Sequence, residues 1–177
     1  NRKQSSRQAA AEEIRFENGK FYQAEMTSCG LNGEPLSGQG TYPSYIACNL
    51  YGKKGTRFLS MIKHPKKGYP YFTQDGGDRE GGEDQYIANM CDGAVAGFKY
   101  FDLTSTKEIS VAIRGKAEGV LQVRTEEYGT PVAEIPVASS RKLQSFHAPM
   151  KARAGRQPLF FKFTGRGSFD FISFELK

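Results

Sequence analysis

Residues 108–124 read EISVAIRGKAEGVLQVR. Ile109, Val111 and Ile113 alternate with Glu108, Ser110, Ala112 and Arg114, the period-two pattern that puts one set of side chains on each face of a pleated strand. The glycine-bounded stretch 115–119 follows, and residues 120–124 are expected to return as the antiparallel partner through a turn. Short segments of the same kind recur at 20–26, 44–51, 57–62, 71–74, 85–90, 95–101, 133–137, 143–148, 159–164 and 169–175, with Gly, Pro, Asn and Asp between them. Strands at this spacing, with no amphipathic helix between them, predict an all-β chain. Its layers form a two-sheet antiparallel β-sandwich rather than a βαβ fold.

At 177 residues the chain suits one domain, assigned to 16–177. The polar stretch NRKQSSRQAAAEEIR at 1–15 lacks a broad apolar stripe and reads as a linker or short lead-in helix. A 38% hydrophobic content with 13 Phe and 9 Tyr is enough to build a core, which excludes global disorder. No run approaches the roughly 18 uncharged apolar residues that a spanning helix needs, so no membrane partner is expected. Because it begins at Asn1, the chain reads as a piece of something longer.

The formal charge of +6 is unevenly spread. No acid lies between Glu34 and Asp75 or between Glu134 and Asp170, whereas Asp75, Asp78, Glu80, Glu83, Asp84 and Asp92 crowd together. The basic runs carry no helix-turn-helix, finger or RNA-binding sheet signature, so nucleic acid is not an expected partner. Cys29, Cys48 and Cys91 are widely and irregularly spaced without C-x-x-C, which argues against a zinc or redox site and leaves room for one disulfide at most. The carboxylate pairs Asp75/Asp78 and Glu80/Asp84 lie in a Gly-rich loop, which promises neither the fixed separation nor the desolvation that acid–base work requires. His64 lies beside Pro65 in a basic segment, His147 falls in an inferred strand, and no G-x-S-x-G is present, so the chain is not expected to be an enzyme by itself. In the final strand Asp170 stands between Phe169 and Phe171. An unpaired carboxylate is costly to bury there, so it must face water, a basic partner or a metal.

FYQAE at 21–25, LFFKFTG at 159–165 and FDFISF at 169–174 together resemble family 6 carbohydrate-binding modules. Between them QYI at 85–87, the strand ending in Arg114-Gly115 and LQSF at 143–146 fall in the family's order. DGAVAGFKYF at 92–101 resembles, more narrowly, the C-terminal sandwich of family 43 glycoside hydrolases. The resemblance covers about 16–177 and implies a jelly-roll, galactose-binding-like sandwich that binds polysaccharide and catalyses nothing. It also implies an N-terminal catalytic propeller in the same polypeptide, a xylan or arabinoxylan substrate, and an extracellular or periplasmic setting. A structural calcium ion is implied at Gln23, Glu25 and Asp170; the residues themselves equally allow carboxylates satisfied by backbone amides or a basic side chain.

The family's sugar cleft, an aromatic pair with an Asn, maps onto Tyr86, onto Leu143 with Phe146 in the later aromatic place, and onto Ser168. Leu143 and Ser168 depart from the pattern, and with no Trp in the chain any stacking falls to Tyr or Phe. Those departures leave open a second role, a structural sandwich that packs on the catalytic domain. Two further expectations come from the charged segments: binding of an acidic polysaccharide through the basic runs, and a reach of the loop around 75–85 toward the catalytic cleft.

Overall fold

A computed structural model describes residues 11–53, 68–75 and 85–177. The alternation at 108–124 forms one unbroken strand, β9 (Glu108–Arg124), and the two closing segments merge likewise into β12 (Arg156–Leu176). They pair antiparallel from Phe160↔Arg124 to Leu176↔Ile109. The expected turn at 115–119 is instead a corner that both strands pass together. A Cβ on Gly119 would strike the Thr164 carbonyl oxygen, and one on Gly165 the Glu118 carbonyl, so only glycine lets the two backbones approach there.

The remaining strands sort to either side of this corner. In chain order they are β1 (Phe16–Glu17), β2 (Lys20–Phe21), β3 (Leu36–Ser37), β4 (Gly40–Pro43), β5 (Asn49–Tyr51), β6 (Tyr71–Gln74), β7 (Gln85–Cys91), β8 (Val95–Asp102), β10 (Pro131–Val137) and β11 (Ser140–Pro149). One layer holds β10, the second half of β9, the first half of β12 and β8, with β3 and β5 on the edge of β8. The other holds β11, the first half of β9, the second half of β12, then β7 and β6, with β4 along the last residues of β12. Phe98 and Phe161 of the first layer meet Phe171 and Phe174 of the second at ring-centroid distances of 4.8 Å for Phe98–Phe174 and 5.2 Å for Phe161–Phe171. These rings are buried and meet edge-on or tilted, the arrangement their quadrupoles favour. The result is the expected all-β sandwich.

Several local expectations are corrected. Residues 11–15 form no helix, and the strand expected at 20–26 shrinks to β2, paired only with β1 in a separate exposed hairpin. The opening strand therefore does not lie beside β12; β4 takes that place. Residues 44–51 begin as a 3-10 turn, Ser44–Ile46, before β5. The strand expected at 57–62, His64 and residues 76–84 of the acidic loop lie outside the described residues. Cys29, Cys48 and Cys91 are free thiols. Among the described residues no helix is long and apolar enough to cross a membrane.

Candidate functional site

Alternation along β9 turns Ile113 into the core against Phe171 and leaves Arg114 on the outer face, in register with Asp170 of β12. Arg114 Nη2 donates to both carboxylate oxygens of Asp75 at 3.0 and 2.9 Å, and its Nε donates to Asp170 Oδ2 at 3.3 Å. Its guanidinium carbon lies 4.7 Å from the centre of the Tyr86 ring, and the Tyr86 hydroxyl donates to Asp75 Oδ1 at 3.0 Å. Four segments thus supply one patch in which two carboxylates share a single guanidinium: Asp75 just after β6, Tyr86 on β7, Arg114 on β9 and Asp170 on β12. Asp170 has the basic partner its position demanded.

Burial raises the Tyr86 phenol above its ordinary range, and the Asp170 and Asp75 carboxylates add to this. Burial works against the Arg114 charge, but hydrogen bonds with Asp75, Tyr86 and Asp170 outweigh it and hold the guanidinium charged. Each pair is partly exposed and worth at most about 1 kcal/mol. Arg114→Ala removes all of them and leaves two carboxylates facing each other, so a melting temperature lower by roughly 3–6 °C is expected in a thermal melt. An unchanged melting temperature would mean the network contributes nothing.

The residues expected to stack on sugar do not offer open ring faces here. Tyr86 is buried under Arg114, and Phe146 pairs with Val111 and packs inward against the core. Leu143 is exposed in the irregular stretch of β11 between Ser140 and Gln144. Ser168 stands at the corner, in register with Cys91 and Lys116.

The three residues expected to hold calcium are likewise not assembled. Asp170 is held by Arg114, whereas Glu25 accepts from Lys99 Nζ at 2.8 Å and from the Tyr100 hydroxyl at 3.0 Å, and Gln23 is exposed. The hydrogen bond from Lys99 holds the Glu25 carboxyl below its usual range, with Tyr100 adding to it. Both carboxylates are engaged by basic side chains of this chain and lie with different partners, so this trio does not fit a hard cation that needs several shared oxygens. Among the described residues no group of three or more His, Cys, Asp or Glu side chains is placed to hold a metal ion.

The outer face of the other layer carries a groove of about 680 Å³ that the sequence reading did not find. Cross-strand register aligns Tyr51, Val95 and Lys162 along its floor, and the loop after β9 brings Glu127 and Tyr128 over one side. The Tyr51 hydroxyl donates to Glu127, and burial together with that carboxylate pushes the phenol well up. Lys53 pairs with Asp92 at 3.2 Å. Asp92 also accepts from the Gly165 N–H at 3.2 Å; that bond first, and Lys53 second, holds its carboxyl below the usual range. Tyr128 is 87% exposed and offers an open ring beside cationic and anionic groups. Glu-Glu-Tyr-Gly at 126–129 was the available signal: an aromatic residue in a polar loop has no core to fill.

No family model matches the chain. It is 42% identical over 175 residues, 97% of its length, to a xylosidase/arabinosidase from Thermoclostridium stercorarium, and spans 36% of that protein. Among solved structures it is similar to the module CsCBM6-3 from Clostridium stercorarium in complex with cellobiose, with TM-score 0.62 and 16% identity over 82% of this chain and 98% of that one. A family 6 carbohydrate-binding module from Clostridium cellulolyticum in complex with xylose gives TM-score 0.61 and 13% identity over 80% and 99%. A family 43 arabinoxylan arabinofuranohydrolase from Bacillus subtilis gives TM-score 0.63 and 13% identity over 94% of this chain and 33% of that one. The chain therefore has the β-sandwich fold of family 6 carbohydrate-binding modules and is similar, across nearly its whole length, to about a third of a xylosidase/arabinosidase.

Proposed function

We propose that this chain is a non-catalytic polysaccharide-binding domain of a larger, exported glycoside hydrolase that acts on xylan or arabinoxylan. The observation that carries the reading is the overlay on almost the whole of two sugar-bound modules, joined to sequence similarity with part of a xylosidase/arabinosidase. The groove on the first layer is the contact surface that fits best. A sugar ring packs its C–H face on an open aromatic ring while planar or charged side chains fix its hydroxyls. Tyr128 supplies the ring, Lys53 and Lys162 supply donors, and Asp92 and Glu127 supply acceptors. Both signs of charge line the groove, which suits a neutral glycan better than an acidic one.

Affinity electrophoresis over xylan, arabinan, β-glucan and pectin tests this. Retardation by xylan is expected, and Tyr128→Ala should weaken it by about tenfold, the equivalent of about 1.4 kcal/mol, with the melting temperature unchanged. Retardation by pectin alone would point to the basic runs, and should vanish in salt. Retardation by none of the four would favour a second reading, a sandwich that serves only to pack on its catalytic partner. The cover that Arg114 forms over Tyr86 supports that second reading at the family's usual cleft.

A further inference from the structure

Two cations on the outer face of the first layer have no acid of their own. Leu121 and Val123 are fully buried, so alternation turns Gln122 and Arg124 of β9 outward. Phe161 and Phe163 do the same for Lys162 of β12, which stands opposite Gln122 in the ladder. Arg124 Nη2 donates to Gln122 Oε1 at 2.6 Å, which draws the guanidinium to the same residue. Arg124 and Lys162 thus both border Gln122, and among the described residues neither has a carboxylate within ion-pair distance.

The acids of this face are each held by another donor. Glu134, opposite Gln122 on β10, accepts from Gln122 Nε2 at 2.9 Å. Asp92 accepts from Lys53 and the Gly165 N–H, and Glu127 accepts from the Tyr51 hydroxyl. Arg124 Nε, moreover, is the buried side-chain polar atom that lacks a hydrogen-bond partner among the described residues. A buried donor without an acceptor is costly, and like charges on neighbouring strands repel; a single anion between them relieves both.

These cations stand at one end of the Tyr128 groove. Lys162 lines the groove, and Gln122 and Arg124 continue the same outer face across β9. The Tyr51 phenol, raised first by burial and then by Glu127, is drawn back by the Arg124 charge, so the guanidinium is within electrostatic reach of the groove. Neighbouring strands lie about 4.8 Å apart, a spacing that one carboxylate can bridge. The planar guanidinium matches the two coplanar oxygens of a carboxylate, while Lys162 adds a movable point charge.

The geometry points to a site for one carboxylate, carried by a uronic-acid side group of the xylan, between Arg124 and Lys162. The inference rests on the proposed function for its glycan and adds the substituent that the site selects. The balanced charges within the groove suit the neutral main chain. The two unpaired cations beside it suit an acidic branch that crosses β12 toward β9.

Affinity electrophoresis of the chain over a xylan bearing uronic acid, before and after its carboxyl groups are reduced to alcohols, tests this. The dissociation constant read from retardation should be at least about tenfold lower for the untreated polymer. Arg124→Gln should cut that preference to about twofold or less, whereas Arg153→Gln, which removes an equal charge from an exposed position on another segment, should keep it. Equal retardation of the wild type by the two polymers overturns the inference, leaves the proposed function standing and requires no variant to fold. A preference that survives in Arg124→Gln, or that Arg153→Gln reduces as much, also overturns it, because the charge of the whole chain is then the source. Retardation by neither polymer overturns the proposed function and the carboxylate site with it.

Discussion

Gly167→Ala is expected to lower stability by at least about 3 kcal/mol, which corresponds to a fall in melting temperature of roughly 10 °C for a chain of this size. Gly167 has φ +78°, in the left-handed region, where a Cβ costs roughly 1–2 kcal/mol by itself. The same Cβ would also collide with the carbonyl oxygen of Lys116, on the strand with which β12 is paired through Gly167↔Ala117. That oxygen belongs to backbone at the corner both long strands share, so it cannot withdraw without opening the ladder on either side. Gly19 provides the control, since its φ of +76° is nearly the same and nothing lies within 4 Å of its Cβ position. Gly19→Ala should therefore cost only about 1 kcal/mol. Thermal melts of the two variants isolate the collision from the dihedral, and equal losses would refute the corner as the place where the two backbones touch.

This corner is also where the sequence was hardest to read. Alternation at 108–114, 120–124, 159–164 and 169–175 was legible because each stretch has a buried and an outer face. Continuity between the stretches was not, because glycine marks a tight turn and a close backbone crossing with the same residue. Asp170 shows a similar limit. Its need for water, a cation or a basic partner followed from the flanking phenylalanines, but Arg114 could be named only from the register that sets position 170 opposite 114. Glu25 was drawn to Lys99 and Tyr100 for a related reason, since the opening segment pairs with itself and never reaches β12. The groove around Tyr128 escaped entirely: its residues come from three separate strands and three connecting segments, and no short motif joins them.

Phe171→Ala is expected to cost about 3–5 kcal/mol, with a melting temperature lower by roughly 10–15 °C. The ring is fully buried and stands among Phe161 at 5.2 Å, Phe98 at 6.2 Å and Phe174 at 6.3 Å, two of these from the facing layer. Its backbone is fixed as well, because its carbonyl accepts from the Ser44 hydroxyl, whose oxygen accepts from the Ile87 N–H at 3.0 Å. With both sides held, the site cannot collapse to fill the space, and the cavity contribution adds to the lost transfer free energy. Phe171→Leu keeps most of the volume and should cost about 1.5 kcal/mol or less. Asp170 sits on the opposite face of the same strand, so loosening at Phe171 should reach the Arg114 patch first. The Tyr128 groove lies on the other layer, and xylan retardation well below the melting temperature should therefore survive in Phe171→Ala. A loss of stability under about 1 kcal/mol would mean the two layers do not meet at this ring, and loss of retardation in a folded variant would place the glycan on the Arg114 face instead.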